Sequence, residues 1–149
     1  MKNLENVLKS VIALFEKGED DTKNYSRAVD LLKSVKKKKK YLNDPYNYLI
    51  DFRLGQASLM KEIMHGNKFT PERIDEIIGL FQNSLSLNPD FIDCHYYLGT
   101  THRIKFKITG CKEYGEKAIE YLESASKSRR FKLKSEGLIA EIRDKMKTY

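Results

Sequence analysis

The stretch Asn88-Pro89-Asp90-Phe91-Ile92-Asp93-Cys94-His95-Tyr96-Tyr97-Leu98-Gly99-Thr100 decides how this chain folds. The proline breaks the preceding segment, and a helix-like pattern starts at about Asp90. Within it, Leu98 is followed by Gly99, a large apolar side chain next to none at all. The same pair, Leu54-Gly55, stands 44 residues earlier, and a conservative form, Ile139-Ala140, stands 41 residues later. Each pair lies early in a helix-like segment and follows another amphipathic segment. Recurrence at that period is the mark of stacked helical hairpins, an architecture whose usual work is binding other macromolecules.

The apolar spacing is helical on both sides of this stretch. Leu4, Val7, Leu8, Val11, Ile12, Leu14 and Phe15 form a first stripe that Gly18 ends, with a polar loop from Glu19 to Asn24. Tyr25, Ala28, Val29, Leu31, Leu32 and Val35 form a second, which the reading extends through the lysines to Tyr41 and Leu42. Asp44-Pro45 predicts the start of a third helix, and Gly66-Asn67 its stop near His65. That helix carries apolar residues on more than one face, so packing on two sides is expected. Thr70-Pro71-Glu72 opens a fourth, with a hydroxyl cap, a first-turn proline and an acid at the positive end. Its stripe is Ile74, Ile77, Ile78, Phe81 and Leu85. A fifth helix is expected from about Asp90 to Ile108, a sixth from Lys112 to Ser128 and a last from about Lys132 to Met146. No segment alternates as a half-buried strand does.

The 149 residues suffice for one domain with a real core. The longest purely apolar run, Val11 to Phe15, is far short of the roughly 20 residues a membrane helix needs. The N-terminal sequence lacks a secretory apolar region, which predicts a cytoplasmic protein. Cys94 and Cys111 offer no disulfide framework and no paired-cysteine motif. The net charge of +7 is uneven: +4 over residues 1–50, −3 over 51–100 and +6 over 101–149. Two basic ends flanking an acidic middle favour an anionic partner or simply solubility.

The paired segments resemble tetratricopeptide repeats. That family places a Leu-Gly pair in helix A, small and aromatic residues in helix B, and a proline after it. Leu54-Gly55 and Leu98-Gly99 match the pair. Ile77, Phe81 and Ser84, then Ala118, Leu122 and Ala125, match helix B, and Ala28 and Leu32 suggest an earlier copy. Pro45 and Pro89 stand where the inter-repeat proline belongs, whereas Arg130 replaces it later. From Ser84 to Leu98 and from Ala125 to Ile139 the interval is 14 residues both times. The period exceeds the usual tetratricopeptide length of about 34 and overlaps the HEAT and armadillo range. The Leu-Gly and small-residue positions favour the former. The resemblance implies an all-α, right-handed solenoid of about three antiparallel helical hairpins, residues 4–43, 45–87 and 90–128, capped by a C-terminal helix over 132–147.

The same resemblance implies a concave groove lined by helix A residues, suited to a peptide or partner helix. It nominates Leu49, Phe52, Gln56, Leu59 and Met60, then Asp93, Tyr96, Thr100 and Arg103, then Lys134, Glu141 and Lys145. The other reading makes Leu49, Phe52 and Met60 intramolecular core. The Lys/Asn/Arg clamp with which some family members hold chaperone tails is absent at the matching positions.

The lysine run Lys36, Lys37, Lys38, Lys39 and Lys40 is the sharpest charge feature. A solvated helix end, favoured by the helix dipole, competes with contact to RNA or another polyanion. Arg129, Arg130, Lys132 and Lys134 form a second cluster, and Tyr41 and Phe131 are placed to stack on bases. His95 and His102, seven residues apart, stand about 10 Å apart along a helix, too far for one ion with Cys94 or Cys111. No metal site, cofactor or catalytic residue is expected. A glycine-bearing stretch from Gly110 to Lys117 lacks the ending and the preceding strand of a phosphate loop. The expected function is non-catalytic protein or peptide binding. The alternative is RNA or polyanion binding through the basic clusters.

Overall fold

A computed structural model describes residues 3–18, 23–66 and 69–148. Among them are seven α-helices and no strand: α1 (Leu4–Gly18), α2 (Lys23–Lys36), α3 (Tyr48–Met64), α4 (Pro71–Leu87), α5 (Ile92–Thr109), α6 (Lys112–Ala125) and α7 (Lys132–Met146). Each helix packs on its successor, and α1 also touches α3. The apolar side chains fall into three clusters along the chain. The first joins Val11, Leu32, Tyr41 and Leu54, the second Phe52, Phe81 and Leu98, and the third Phe106, Leu122 and Ile142.

At the glycines of the two Leu-Gly pairs, neighbouring helices come too close for a side chain. A Cβ on Gly55 would lie 2.7 Å from the Phe81 ring, and one on Gly99 would lie 2.6 Å from Leu122 Cγ. Phe81 and Leu122 are fully buried and have no room to withdraw. The small residues of α4 and α6 serve the same approach, with Ser84, Ala118 and Ala125 wholly enclosed. Ser84 Oγ also donates to Tyr48 O at 2.7 Å, tying α4 to the first turn of α3. At the third pair the pattern changes: Ile139 is buried, but Ala140 is exposed.

Several boundaries differ from the sequence reading. α2 stops at Lys36 instead of running to Leu42, because the chain turns to bury Tyr41. Lys38 is extended (φ −85°, ψ 116°), and Lys39–Tyr41 form a short 3-10 turn. Asp44-Pro45 does not start α3. Asp44 Oδ1 accepts from Tyr46 N at 2.9 Å, which makes a side-chain turn, and the helix begins at Tyr48. Asn24 belongs to α2 and is buried, donating through Nδ2 to Lys17 O at 3.1 Å. Glu19 to Thr22 of the expected loop, and Asn67 of the expected helix stop, lie outside the described residues. α5 starts at Ile92, two residues after Asp90, and α6 ends at Ala125, before Ser128. The Thr70 cap is as expected, its Oγ1 accepting from Arg73 N at 3.2 Å. α3 packs on both α2 and α4.

The glycine contacts set a contrast that chemical denaturation reads. Gly55→Ala and Gly99→Ala should each cost about 1–3 kcal/mol, because the new methyl overlaps an immobile side chain. Gly79→Ala and Gly137→Ala meet nothing within 4 Å. They should gain up to about 1 kcal/mol from helix propensity. Equal effects at all four positions would refute close approach as the role of the pairs.

Candidate functional site

Helices α3, α5 and α7 are joined through side chains. Phe52 of α3 meets Phe91 (4.6 Å between ring centroids) and Tyr97 (5.6 Å), and Tyr48 meets Phe91 edge-on at 5.1 Å. From α5, Tyr96 stacks on Phe131 at 4.7 Å. Asp93 accepts from Arg130 at 3.2 Å, and Arg103 pairs with Glu141. Among the residues nominated for the groove, Arg103 of α5 and Glu141 of α7 meet directly, whereas Phe52, Asp93 and Tyr96 meet neighbours that were not nominated for it, and not all of them reach solvent.

Phe52 is 0% exposed and Leu59 3%. Both are core residues, so neither presents surface to a partner. Phe91 and Tyr97 supply the aromatic cover that closes over Phe52. Leu49 is half-buried between the first and second clusters. Gln56 and Met60 are partly exposed, and Gln56 Oε1 accepts from Arg53 at 2.7 Å. Tyr96 and Thr100 are half-buried, and Thr100 Oγ1 donates to Tyr97 O at 2.9 Å. Lys134 is exposed, and Lys145 is half-buried beside Glu141.

A recess of about 380 Å3 lies against α5, lined by Ile63, Phe69, Arg103, Ile104, Lys107 and Ile108. Ile63 is 38% and Ile108 41% exposed. Apart from Arg103, sequence reasoning missed it. Ile104 and Ile108 are four residues apart and share a helix face, which was the available signal. The concavity itself arises only where the end of α3 and Phe69 meet the second half of α5. Beside it, the Arg103 hydrogen bond holds the Glu141 carboxyl below its usual range against desolvation, with the charges of Lys107 and Lys145 adding to the effect. Burial pushes the Lys107 ammonium below its ordinary value, and Arg103 and Lys145 push it the same way. Arg103 Nε is buried and makes no hydrogen bond.

The basic clusters are mostly exposed. Lys36 pairs with Asp51 at 2.9 Å, and Lys37, Lys38 and Lys39 face solvent. Lys40 Nζ lies 4.9 Å from the Tyr41 ring centroid. Arg129, Lys132 and Lys134 are exposed, whereas Arg130 is drawn to Asp93. Tyr41 and Phe131 are each 5% exposed. The expectation that they stack on bases is therefore corrected, since both rings are spent on the core.

Of the residues weighed as metal ligands, Cys94 and His102 are buried, His95 is half-buried and Cys111 is exposed. Cys94 Sγ donates to Phe81 O at 3.1 Å, and burial pushes its thiol up to about 12. His95 Nε2 lies 3.1 Å from Pro89 O. His102 is buried, stacks on Tyr121 at 5.5 Å, and has no hydrogen bond at either ring nitrogen. The sequence matches no protein-family model and no curated protein.

His102 gives the fold an acid-sensitive point. Burial, then the charges of Lys117 and Lys105 against that of Asp75, lower its pKa from 6.5 to about 4. The folded state thus binds the proton less readily than the unfolded chain. The stability is intact above pH 6.5 and is lost as pH falls towards 4. Relative to His102→Phe, the wild type should lose on the order of 3 kcal/mol between pH 7 and pH 4. Parallel pH profiles from urea unfolding of the two proteins would contradict this.

Proposed function

We propose that this protein is a non-catalytic, cytoplasmic scaffold or adaptor that binds a peptide or partner helix on the face shared by α3, α5 and α7. The observation that carries this reading is the recess at α5, where aliphatic side chains stay open to solvent beside charged ones. Such a surface, apolar at its centre and polar at its rim, is what a partner segment buries. Phe52 is no longer an anchor in this reading. Arg103 lines the recess, Ile104 and Ile108 supply its apolar floor, and the partly exposed Gln56, Met60, Tyr96 and Thr100 belong to the proposed binding face on the same helices.

The proposal includes the finer architecture: a right-handed stack of three antiparallel hairpins, residues 4–43, 45–87 and 90–128, with α7 as the cap, resembling tetratricopeptide repeats. The equivalent contacts of Gly55 with Phe81 and of Gly99 with Leu122 support it. So does the successive packing of each helix on the next. An open face on α7 at Ala140, where the earlier pairs are covered, fits a helix A without its helix B.

Polyanion binding through Lys37–Lys39, Arg129, Lys132 and Lys134 is the second reading, favoured by the exposure of those side chains. Affinity capture from native lysate, with and without nuclease, separates the two. The expected result is a stoichiometric protein partner that survives nuclease, is lost with Ile108→Asp and persists when Lys37–Lys40 become Gln. Recovery that nuclease abolishes, with steep salt dependence, would replace the protein-binding reading with the polyanion one.

A further inference from the structure

Two recesses in the described surface have their charges organised differently. The first, about 420 Å3, is lined by Lys36, Arg73 and Glu76 among others. Two of its three cations are paired, Lys36 with Asp51 at 2.9 Å and Arg73 with Glu62 at 3.0 Å and Glu76 at 2.9 Å, while Lys33 is exposed. The second, at α5, is flanked by cations that are not balanced. Arg103 pairs with Glu141, Lys107 lies near the same carboxylate, and the charge of Lys145 acts on it too. Lys107 reaches it only at 3.8 Å. Desolvation is the main cause of the lowered Lys107 value, and repulsion from Arg103 and Lys145 lowers it further. A further carboxylate beside them would relieve that repulsion.

The apolar half of the same recess lies within a few residues of these charges. Ile104 and Lys107 are three apart on α5, and Ile108 follows directly. Ile63 and Met64, 38% and 39% exposed, extend the apolar surface onto the end of α3. We propose that this recess receives an acidic amphipathic segment of another protein, its aliphatic side chains resting on Ile63, Ile104 and Ile108 and its Asp or Glu facing Lys107 and Lys145. In this arrangement Glu141 occupies the seat next to the incoming carboxylate and competes with it for the same cations.

Other occupants fit less well. Nucleic-acid phosphates would use the cations but leave the isoleucines unmatched. A lipid surface is flat where the site is concave. A second copy of the chain brings a net charge of +7 against a basic site. The inference rests on the protein-binding reading and adds the chemistry of the partner.

A random peptide display library, selected on the full chain, tests it. The enriched sequences should combine Asp or Glu with Leu, Ile or Phe at helical spacing. Synthetic versions, amidated so that no terminal carboxylate contributes, should lose about tenfold in affinity or more with Lys107→Glu and with Ile108→Asp. Both positions are exposed, and circular dichroism melts confirm that the variants stay folded. Glu141→Gln should raise the affinity, whereas a merely structural role for Glu141 would lower it or leave it unchanged. Selected peptides that lose binding with Ile108→Asp but carry no acid, and ignore Lys107→Glu, would overturn the acidic partner and leave the binding reading standing. If no selected peptide responds to Ile108→Asp, both fall. Concentration-dependent self-association that Lys107→Glu abolishes would assign the recess to a second copy and overturn the proposal.

Discussion

The structure depends on the close approach of helices at Gly55 and Gly99. At each, the neighbouring helix brings a large buried side chain to a distance that only a missing Cβ allows: Phe81 against Gly55, Leu122 against Gly99. That contact sets how near α3 lies to α4 and how near α5 lies to α6. The small residues Ser84, Ala118 and Ala125 maintain the same closeness along α4 and α6. Large side chains therefore fill the spaces on either side of each contact, and the core divides into three clusters instead of one.

This division has a consequence for the surface. Each helix spends its apolar stripe on its sequence neighbours, leaving α3, α5 and α7 to meet one another through individual side chains. Those links are aromatic near the starts of α3 and α5, at Phe52, Phe91 and Tyr97. They become ionic further along α5, at Arg103 and Glu141. Between the end of α3 and the second half of α5, the recess of Ile63, Ile104 and Ile108 remains. Aromatic rings close the face in one place, and the aliphatic Ile63, Ile104 and Ile108 leave it open in another.

Charge follows the same geometry. Elsewhere several cations pair with single acids: Lys36 with Asp51, Arg130 with Asp93, Lys105 with Asp75. Near the recess Arg103 and Lys107 share Glu141, and the charge of Lys145 acts on it as well. Exposed ion pairs add little to stability in general. The imbalance at Glu141 therefore matters more for what the surface attracts than for how firmly the fold holds.

Helical periodicity, caps and the spaced Leu-Gly pairs were legible in the sequence, because helix patterning and the need for a missing side chain are local properties of residue type. The helices Leu4–Gly18 and Lys132–Met146, the Thr70 cap and the two close contacts all follow from them. Tertiary structure decided the rest. Phe52 and Met60 stand on one helix and read alike as groove residues, yet Phe91 and Tyr97 cover the first and leave the second partly open. Tyr41 and Phe131, placed beside lysines and arginines in the sequence, turn inward because the core has room for them. The recess at α5 belongs to no single segment, since its walls come from α3, Phe69 and α5 together. Spacing along one helix shows which residues share a face; only the packing of other helices shows whether that face is covered.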